Sequence, residues 1–337
     1  MSIVSQSSLF KQADKYKRLV QAKLYSFPVM EHYFASSNPD HNKYAERILN
    51  CSNDIDIRCF SEFTLTGIES HSSIEGARWC RVRHCPLCQF ARVSKYRAKL
   101  FKAFASKDLS NDSYVFLTLT VRNVSLNDLR KTLSLMTKAW NKLHQRRTFP
   151  SDGFLRSMEV TMERERLPGD KTKNTGPPVR SADGFLKAHP HFHCLLRMKN
   201  GYFTENFKDK LWWIEQWQSA LSVDYGPSIS LRKVKPDNDK DFAKALLETI
   251  KYTVKPSDFG RYPEASEWLL GITDQLYRLR SLTVGGSFSK FISQEELDEI
   301  ESTCGTSDEI SQFGDLLRLS WNDLYRNYDV LEPVLED

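Results

Sequence analysis

The strongest constraint on the fold is a change of hydrophobic period that recurs through the middle of the chain. Residues 114 to 121, YVFLTLTV, alternate and are rich in β-branched and aromatic side chains, the pattern of a half-buried strand. The period then lengthens: Leu129, Leu133, Met136, Trp140 and Leu143 recur at steps of four and three, which places them on one helical face. Ser125, with Asp128 three positions on, has the spacing of a helix cap, and the helix is expected to end near Arg147, before Pro150. Residues 154 to 162 (FLRSMEVTM) and 190 to 198 (PHFHCLLRM) read as a second and third strand. Pro168, Gly169, Gly176, Pro177 and Pro178 mark a long hairpin loop between them, from Arg164 to Gly184.

A second amphipathic helix is expected from Thr204 as N-cap, carrying Phe207, Leu211, Ile214, Trp217 and Leu221, with Gly226 and Pro227 ending it. Residues 228 to 235 (SISLRKVK) alternate as a fourth strand, and 239 to 254 read as a third helix closed by Pro256. The order β-α-β-β-α-β, followed by α, is that of an α+β, ferredoxin-like split βαβ core: an antiparallel sheet with helices on one face and the other face free. Residues 260 to 337 read as mostly helical, interrupted at Gly285-Gly286. Three stretches are therefore expected: a basic, cysteine-rich region over 1–110, a catalytic core over 111–258, and an acidic helical extension over 259–337.

Charge is distributed unevenly. Residues 293 to 337 hold thirteen acids against Arg318 and Arg326, so the first 292 residues carry +16 although the whole chain is only +5. A polyanionic partner suits that balance. From Arg78 to Lys102 there is no acid, and Arg78, Arg81, Arg83, Arg92, Lys95, Arg97 and Lys99 are interleaved with Trp79, Phe90, Tyr96 and Phe101. Such a segment suits phosphate contact and base stacking, and a solvated helix face is the plainer reading. No apolar stretch approaches the roughly 20 residues of a membrane span, and Met1 to Lys23 lacks the apolar run of a signal peptide, which places the chain in the cytoplasm.

Within the basic segment, Cys80-x4-Cys85-x2-Cys88 can hold part of a tetrahedral zinc site. The odd total of seven cysteines argues against a disulfide framework, although a small core of buried thiols would give the same spacing. Cys51, His84 and Cys59 are candidates for the fourth ligand. Cys51 is preferred, because His84 adjoins Cys85 too closely to close the same tetrahedron.

The third strand contains His189-Pro190-His191-Phe192-His193. Residues two apart on a strand share a face, so His191 and His193 can present imidazoles to one cation while Phe192 turns to the core. If the second and third strands pair, Glu159 can add a carboxylate, with Glu163 as the substitute should the long loop disturb that register; the set leaves coordination positions open for a substrate oxygen. On the third helix, Glu248, Tyr252 and Lys255 are spaced to line one face, which would bring a tyrosine beside the cation.

In chain order, VFLTLT, HPHFH and ETIKYTVK, the last with Glu248, Tyr252 and Lys255, resemble the three motifs of rolling-circle plasmid replication initiators of the HUH endonuclease superfamily. The flanking segments CRVRHCPLC and LRSLTVGGSF are similar to that family too, so the likeness runs from about Cys51 to Phe288. It implies a site-specific nickase of single-stranded origin DNA with Tyr252 as nucleophile, and His191, His193 and Glu159 holding Mg²⁺ or Mn²⁺. The products would be a 5′-phosphotyrosyl bond and a 3′-OH primer, with Glu248 as base for termination and Lys255 orienting or neutralising charge. The cysteine segment would be a zinc-stabilised element that recognises the double-stranded origin, and a host helicase and polymerase would be partners. Rival readings are a non-catalytic zinc-dependent DNA-binding regulator, a transposase or relaxase of the same superfamily, and an RNA-binding sheet.

Overall fold

Backbone pairing along the central motifs produces one antiparallel sheet, seen in a computed structural model that describes residues 14–64, 67–105, 113–171, 174–234, 239–251, 253–304 and 315–331. The chain divides into two units, one comprising Val93–Asp258 and Tyr262–Glu299 and the other Met1–Arg92, Phe259–Arg261 and Ile300–Asp337. These boundaries differ from the three consecutive stretches expected, because each unit draws on separated parts of the chain.

The first helices and strands in chain order are α1 (Asp14–Phe34), α2 (Pro39–Leu49), β1 (Asp54–Thr64), β2 (Gly67–Ala77) and α3 (Pro86–Ala105). The larger unit then supplies β3 (Ser113–Thr120), the short β4 (Val124–Ser125), α4 (Leu129–His144), β5 (Ser151–Met162), β6 (Lys187–Met198), α5 (Lys210–Leu221), β7 (Ile229–Val234), α6 (Asp239–Thr249), α7 (Ala265–Gln275), β8 (Leu282–Gly286) and the first part of α8 (Gln294–Thr303). Its sheet runs β7-β3-β6-β5-β8, with β4 also paired to β6. The four strands expected from sequence therefore lie in the spatial order fourth, first, third, second, all antiparallel.

Directly opposed residues share a face, so register sorts the side chains. Val115, Leu196 and Phe154 stand in one row, and Trp140 of α4 meets the Phe154 ring edge-on at 5.0 Å. The neighbouring row, Tyr114 with Arg197, faces the other way, and there Phe242 of α6 packs on Tyr114 at 4.9 Å. The buried stripe of α4 is Leu129, Leu133, Met136, Ala139, Trp140 and Leu143, the spacing that predicted the helix.

Several expectations need correction. The second helix begins at Lys210, not after Thr204: Asp209 is its N-cap, accepting from the Trp212 amide at 2.8 Å, whereas Thr204 Oγ1 donates to Gly201 O in the preceding turn. Trp213, Trp217, Ala220 and Leu221 form its buried side, and Leu211 and Phe207 are exposed. The third helix stops at Thr249, five residues early. β-Branched Thr249, Ile250, Thr253 and Val254 favour extended backbone, and Pro256 disfavours helix at Lys255, which together explain the early stop. Residues 260–337 are not mostly helical, since they contribute β8 and two further strands, β9 (Asp315–Asn322) and β10 (Asn327–Leu331).

Those two strands belong to the other unit, in a four-stranded antiparallel sheet of order β10-β9-β1-β2. The acidic tail thus supplies half of a sheet begun more than 250 residues earlier. Tyr328 Oη donates to Ser52 O at 2.7 Å, Trp321 N donates to Asn53 O at 2.8 Å, and Arg318 pairs with Asp56 at 2.7 Å.

β8 is fixed to β5 by a close backbone approach at Gly286, whose φ is +62° and where a Cβ would lie 2.1 Å from Asp152 O. Gly286→Ala is expected to destabilise the protein by about 2 kcal/mol or more, lowering the unfolding temperature by roughly 5 °C in thermal scans.

Candidate functional site

The β5–β6 register sets Glu159 opposite His191 and Ser157 opposite His193, and β3 brings Thr118 opposite His193 from the other side. The Glu159, His191 and His193 side chains are buried, and their ligand atoms lie within 4.8 Å of one another. Glu159 Oε2 is 3.2 Å from His191 Nε2 and 2.7 Å from His193 Nε2. His191 Nδ1 lies 3.3 Å from the carbonyl of His189, a contact that orients the ring with Nε2 toward Glu159. His193 Nδ1 is 3.2 Å from Thr118 Oγ1, and its ring stacks on Phe116 at 5.5 Å. Two oriented imidazoles and a carboxylate converging on one point could hold a metal ion. Burial alone would raise the Glu159 carboxyl, but hydrogen bonding and positive charge from the two imidazoles outweigh it and hold the group well below the usual carboxylate range.

Glu248 and Lys255 are not presented by one helical face, since α6 ends at Thr249. Glu248 is half-buried in the last turn, 3.2 Å from Lys251 Nζ. Lys255 is exposed, and its Nζ reaches to 4.0 Å from Glu159 Oε1. Tyr252 lies outside the described residues. The next residue is tied to the strand that carries Glu159, because Val160 N, adjacent to Glu159, donates to Thr253 O at 2.8 Å.

Asp258 was not singled out from sequence. It follows Lys255 on a 3₁₀ turn, Pro256–Phe259, and its amide donates to Lys255 O at 2.9 Å. Burial raises its carboxyl above the ordinary value, opposed by Lys255 and Arg164 and reinforced by the negative charge of Glu159. A lone aspartate beyond a Tyr-x-x-Lys stretch carries no periodic signal that sequence reasoning could have used. Glu163 lies outside the three-ligand cluster and instead faces Lys187, 3.9 Å away.

The second cluster joins Cys51, Cys80, Cys85 and Cys88, all buried, with the sulfurs within 4.8 Å of one another. Cys51–Cys88, Cys80–Cys88 and Cys51–Cys85 are separated by 3.7, 3.5 and 3.7 Å. Four sulfurs about 2.3 Å from one tetrahedral ion stand about 3.8 Å apart, so this set could hold a thiophilic metal. The Cys80 amide donates to Cys51 Sγ at 3.4 Å and the Arg81 amide to Cys88 Sγ at 3.2 Å. Lys23, also buried, donates to Cys51 O at 2.9 Å, placing a cation beside the sulfurs. His84 is buried edge-on to Phe259, and Cys59 lies on β1; neither belongs to the cluster. Cys304, one of the seven but not weighed as a ligand from sequence, is buried, and the neighbouring Cys88 thiol pushes its own thiol up.

The basic residues separate into two kinds. Arg78, Arg81 and Arg97 are exposed, and Lys95 and Arg83 are half-buried. Lys99 pairs with Glu296 at 2.8 Å. Arg92 is buried and turned inward, donating to the carbonyls of Glu301, Arg83 and Arg81 at 2.8, 3.2 and 3.2 Å, so its guanidinium acts as a backbone clamp and not as a nucleic-acid contact. No helix among the described residues is long and apolar enough to cross a membrane.

Fold and clusters together define an α+β protein with antiparallel sheets and two separate groups able to hold metal ions. Residues 71–329 match the family model described as "Replication protein", and the chain belongs to that family of replication initiators. A protein named "Protein rep" from Streptococcus pneumoniae serotype 2 (strain D39 / NCTC 7466) is 31% identical over 266 residues, covering 75% of this chain and 76% of its own length. Another "Protein rep", from Bacillus amyloliquefaciens, is 30% identical over 296 residues, with 80% of each chain covered. A "Replication protein" from Staphylococcus aureus is 29% identical over 232 residues, 65% of this chain and 91% of its own. No solved structure matches the chain.

Cys51→Ser is expected to remove about one equivalent of thiophilic metal per chain and to lower the unfolding temperature, checked by elemental analysis and thermal scans. Asp258 gives a pH signature. Because its folded value is raised, ionising it costs more in the folded chain than in the unfolded one, so its favourable contribution exists at low pH and is lost as pH rises. Asp258→Asn should therefore unfold at a higher temperature than the native chain at pH 7 in EDTA, the gap closing below about pH 4.

Proposed function

We propose that the chain initiates rolling-circle replication by nicking and rejoining plasmid origin DNA. The observation that carries this reading is the buried convergence of Glu159, His191 and His193 in a member of the replication-protein family, with Thr253 bound to the same strand as Glu159. The strand order fourth-first-third-second supports a ferredoxin-like core of the HUH kind, and the catalytic work is assigned to the unit that contains it.

His191, His193 and Glu159 would hold Mg²⁺ or Mn²⁺, which when bound polarises the scissile phosphate and offsets charge developing on it. Tyr252 gives up its phenolic proton to solvent and attacks phosphorus through Oη. The Oη–P bond forms as the bond from phosphorus to the 3′ oxygen breaks, and that oxygen takes up a proton to become the 3′-OH primer. Lys255, exposed and within 4.0 Å of Glu159, can reach the non-bridging phosphate oxygens and the phenolate without leaving the site. Glu248 would act at termination as base for water, for which it must leave its pairing with Lys251.

Zinc is the ion proposed for Cys51, Cys80, Cys85 and Cys88, on the all-sulfur donor set and its spacing. Exposed Arg78, Arg81 and Arg97, with Lys95, would contact the duplex origin, and a host helicase and polymerase would use the nicked product. The zinc cluster alone would equally serve a DNA-binding regulator without catalysis, and the imidazole–carboxylate cluster is what favours the enzyme.

The test uses single-stranded oligonucleotides tiling the replicon that encodes the chain, with Mn²⁺, on denaturing gels. The native chain should form a covalent adduct and Tyr252→Phe none, with DNA binding within about twofold of native. An adduct surviving in Tyr252→Phe would rule out that residue as nucleophile.

A further inference from the structure

Strand β3 leaves the sheet at Thr120, the register partner of His191, and the chain rejoins β6 at Val124, opposite Ala188. Arg122 therefore sits in the short span that passes the metal-ligand end of β6. Its Cα can lie at most about 7 Å from that of Thr120. The span is well anchored, with Thr120 O accepting from Trp217 Nε1 at 2.9 Å and Thr120 Oγ1 donating to Ser228 O at 2.6 Å.

The Arg122 guanidinium is held over the Tyr225 ring, Cζ to centroid 4.0 Å, and Tyr225 Oη accepts from the Arg122 amide at 3.2 Å. Tyr225 thus fixes both the backbone and the head group of one residue. Three other arginines of this unit are neutralised by carboxylates: Arg232 by Asp241 at 2.6 Å, Arg197 by Asp152 at 3.0 Å and Arg180 by Glu267 at 2.8 Å. Arg122 is exposed, and among the described residues no carboxylate pairs with it. A planar cation stacked on an aromatic ring keeps its orientation while its outward N–H groups stay available, which suits bidentate contact with a phosphodiester.

We propose that Arg122, positioned by Tyr225, is a phosphate-binding fork that grips the single-stranded DNA backbone beside the metal-ligand cluster. The inference deepens the nicking reading and rests on it for the identity of the strand. The occupant is a single-stranded polynucleotide, because the fork is exposed, uncompensated and only two residues beyond Thr120, the register partner of His191.

The experiment measures binding of fluorescein-labelled dT20 by anisotropy in EDTA, from 50 to 200 mM salt, so that affinity is read apart from cleavage. Arg122→Ala should weaken binding about fivefold and make the plot of log K against log salt shallower by about 0.7, the loss of one phosphate contact to a single strand. Arg122→Lys should retain most of the salt slope while losing a few-fold in affinity, because an ammonium keeps the charge but not the oriented fork. Unchanged affinity and slope in Arg122→Ala, with an unchanged unfolding temperature, would overturn the proposal. Adduct formation with Mn²⁺ is scored separately on the tiled strands. A native chain that forms no adduct, yet shows the Arg122 slope change, would support the strand contact and discard the nicking reading.

Discussion

The pairing of β5 with β6 is the constraint on which the candidate site depends. A strand has a period of two, so a slip of one residue between these strands would move Glu159 away from His191 and set it beside Pro190 or Phe192. The apolar row on the other face resists such a slip. Phe192 lies beneath the Arg156 guanidinium at 4.2 Å, Trp140 abuts Phe154, and both rows would have to be exposed together. The hydrophobic packing of α4 therefore holds the imidazoles and the carboxylate on the other side of the sheet to their mutual distances. Stability and site geometry are two results of one register.

Three strands meet at the cluster, and each contributes a different kind of control. β6 supplies both imidazoles, β5 supplies the carboxylate, and β3 supplies the hydroxyl and the aromatic ring that orient His193. The three side chains converge, and Glu159 Oε2 is the shared point of contact. Asp258 adds a second, partly buried carboxyl under the influence of Lys255 and Arg164, so the electrostatics near the cluster are finely balanced.

Much of this was legible because the relevant signals were periodic. The alternating strands, the 3.6-residue stripe of α4 and the two-residue spacing of His191 and His193 all report which side of an element a residue occupies, and the sheet followed from their order. The same reasoning lost accuracy where local interactions compete. Thr204 and Asp209 are both competent caps, and only the backbone turn at Gly201 decides between them. Glu248, Tyr252 and Lys255 have helical spacing, yet β-branched residues and Pro256 end the helix before it can use that spacing. The tail failed for another reason: the pairing of β9 with β1 is a non-local fact that a chain of acids and apolar residues does not advertise. Arg92 likewise looked like its basic neighbours, because composition cannot tell a side chain that faces solvent from one that ties down three carbonyls.

The placement of β9 and β10 sets the order in which a growing chain can acquire its structure. All five strands of the larger sheet's main path are complete by residue 286, whereas β1 cannot gain its β9 partner until residues beyond 315 have been synthesised. The long helix α1 and the cysteine segment must wait beside an open strand edge for most of translation, with the carbonyls of Ser52 and Asn53 lacking their Tyr328 and Trp321 donors until then. A message cut short before that point yields a polypeptide with the metal-ligand strands finished and half of the other sheet missing. The smaller sheet can thus close only after β9 and β10 have been made.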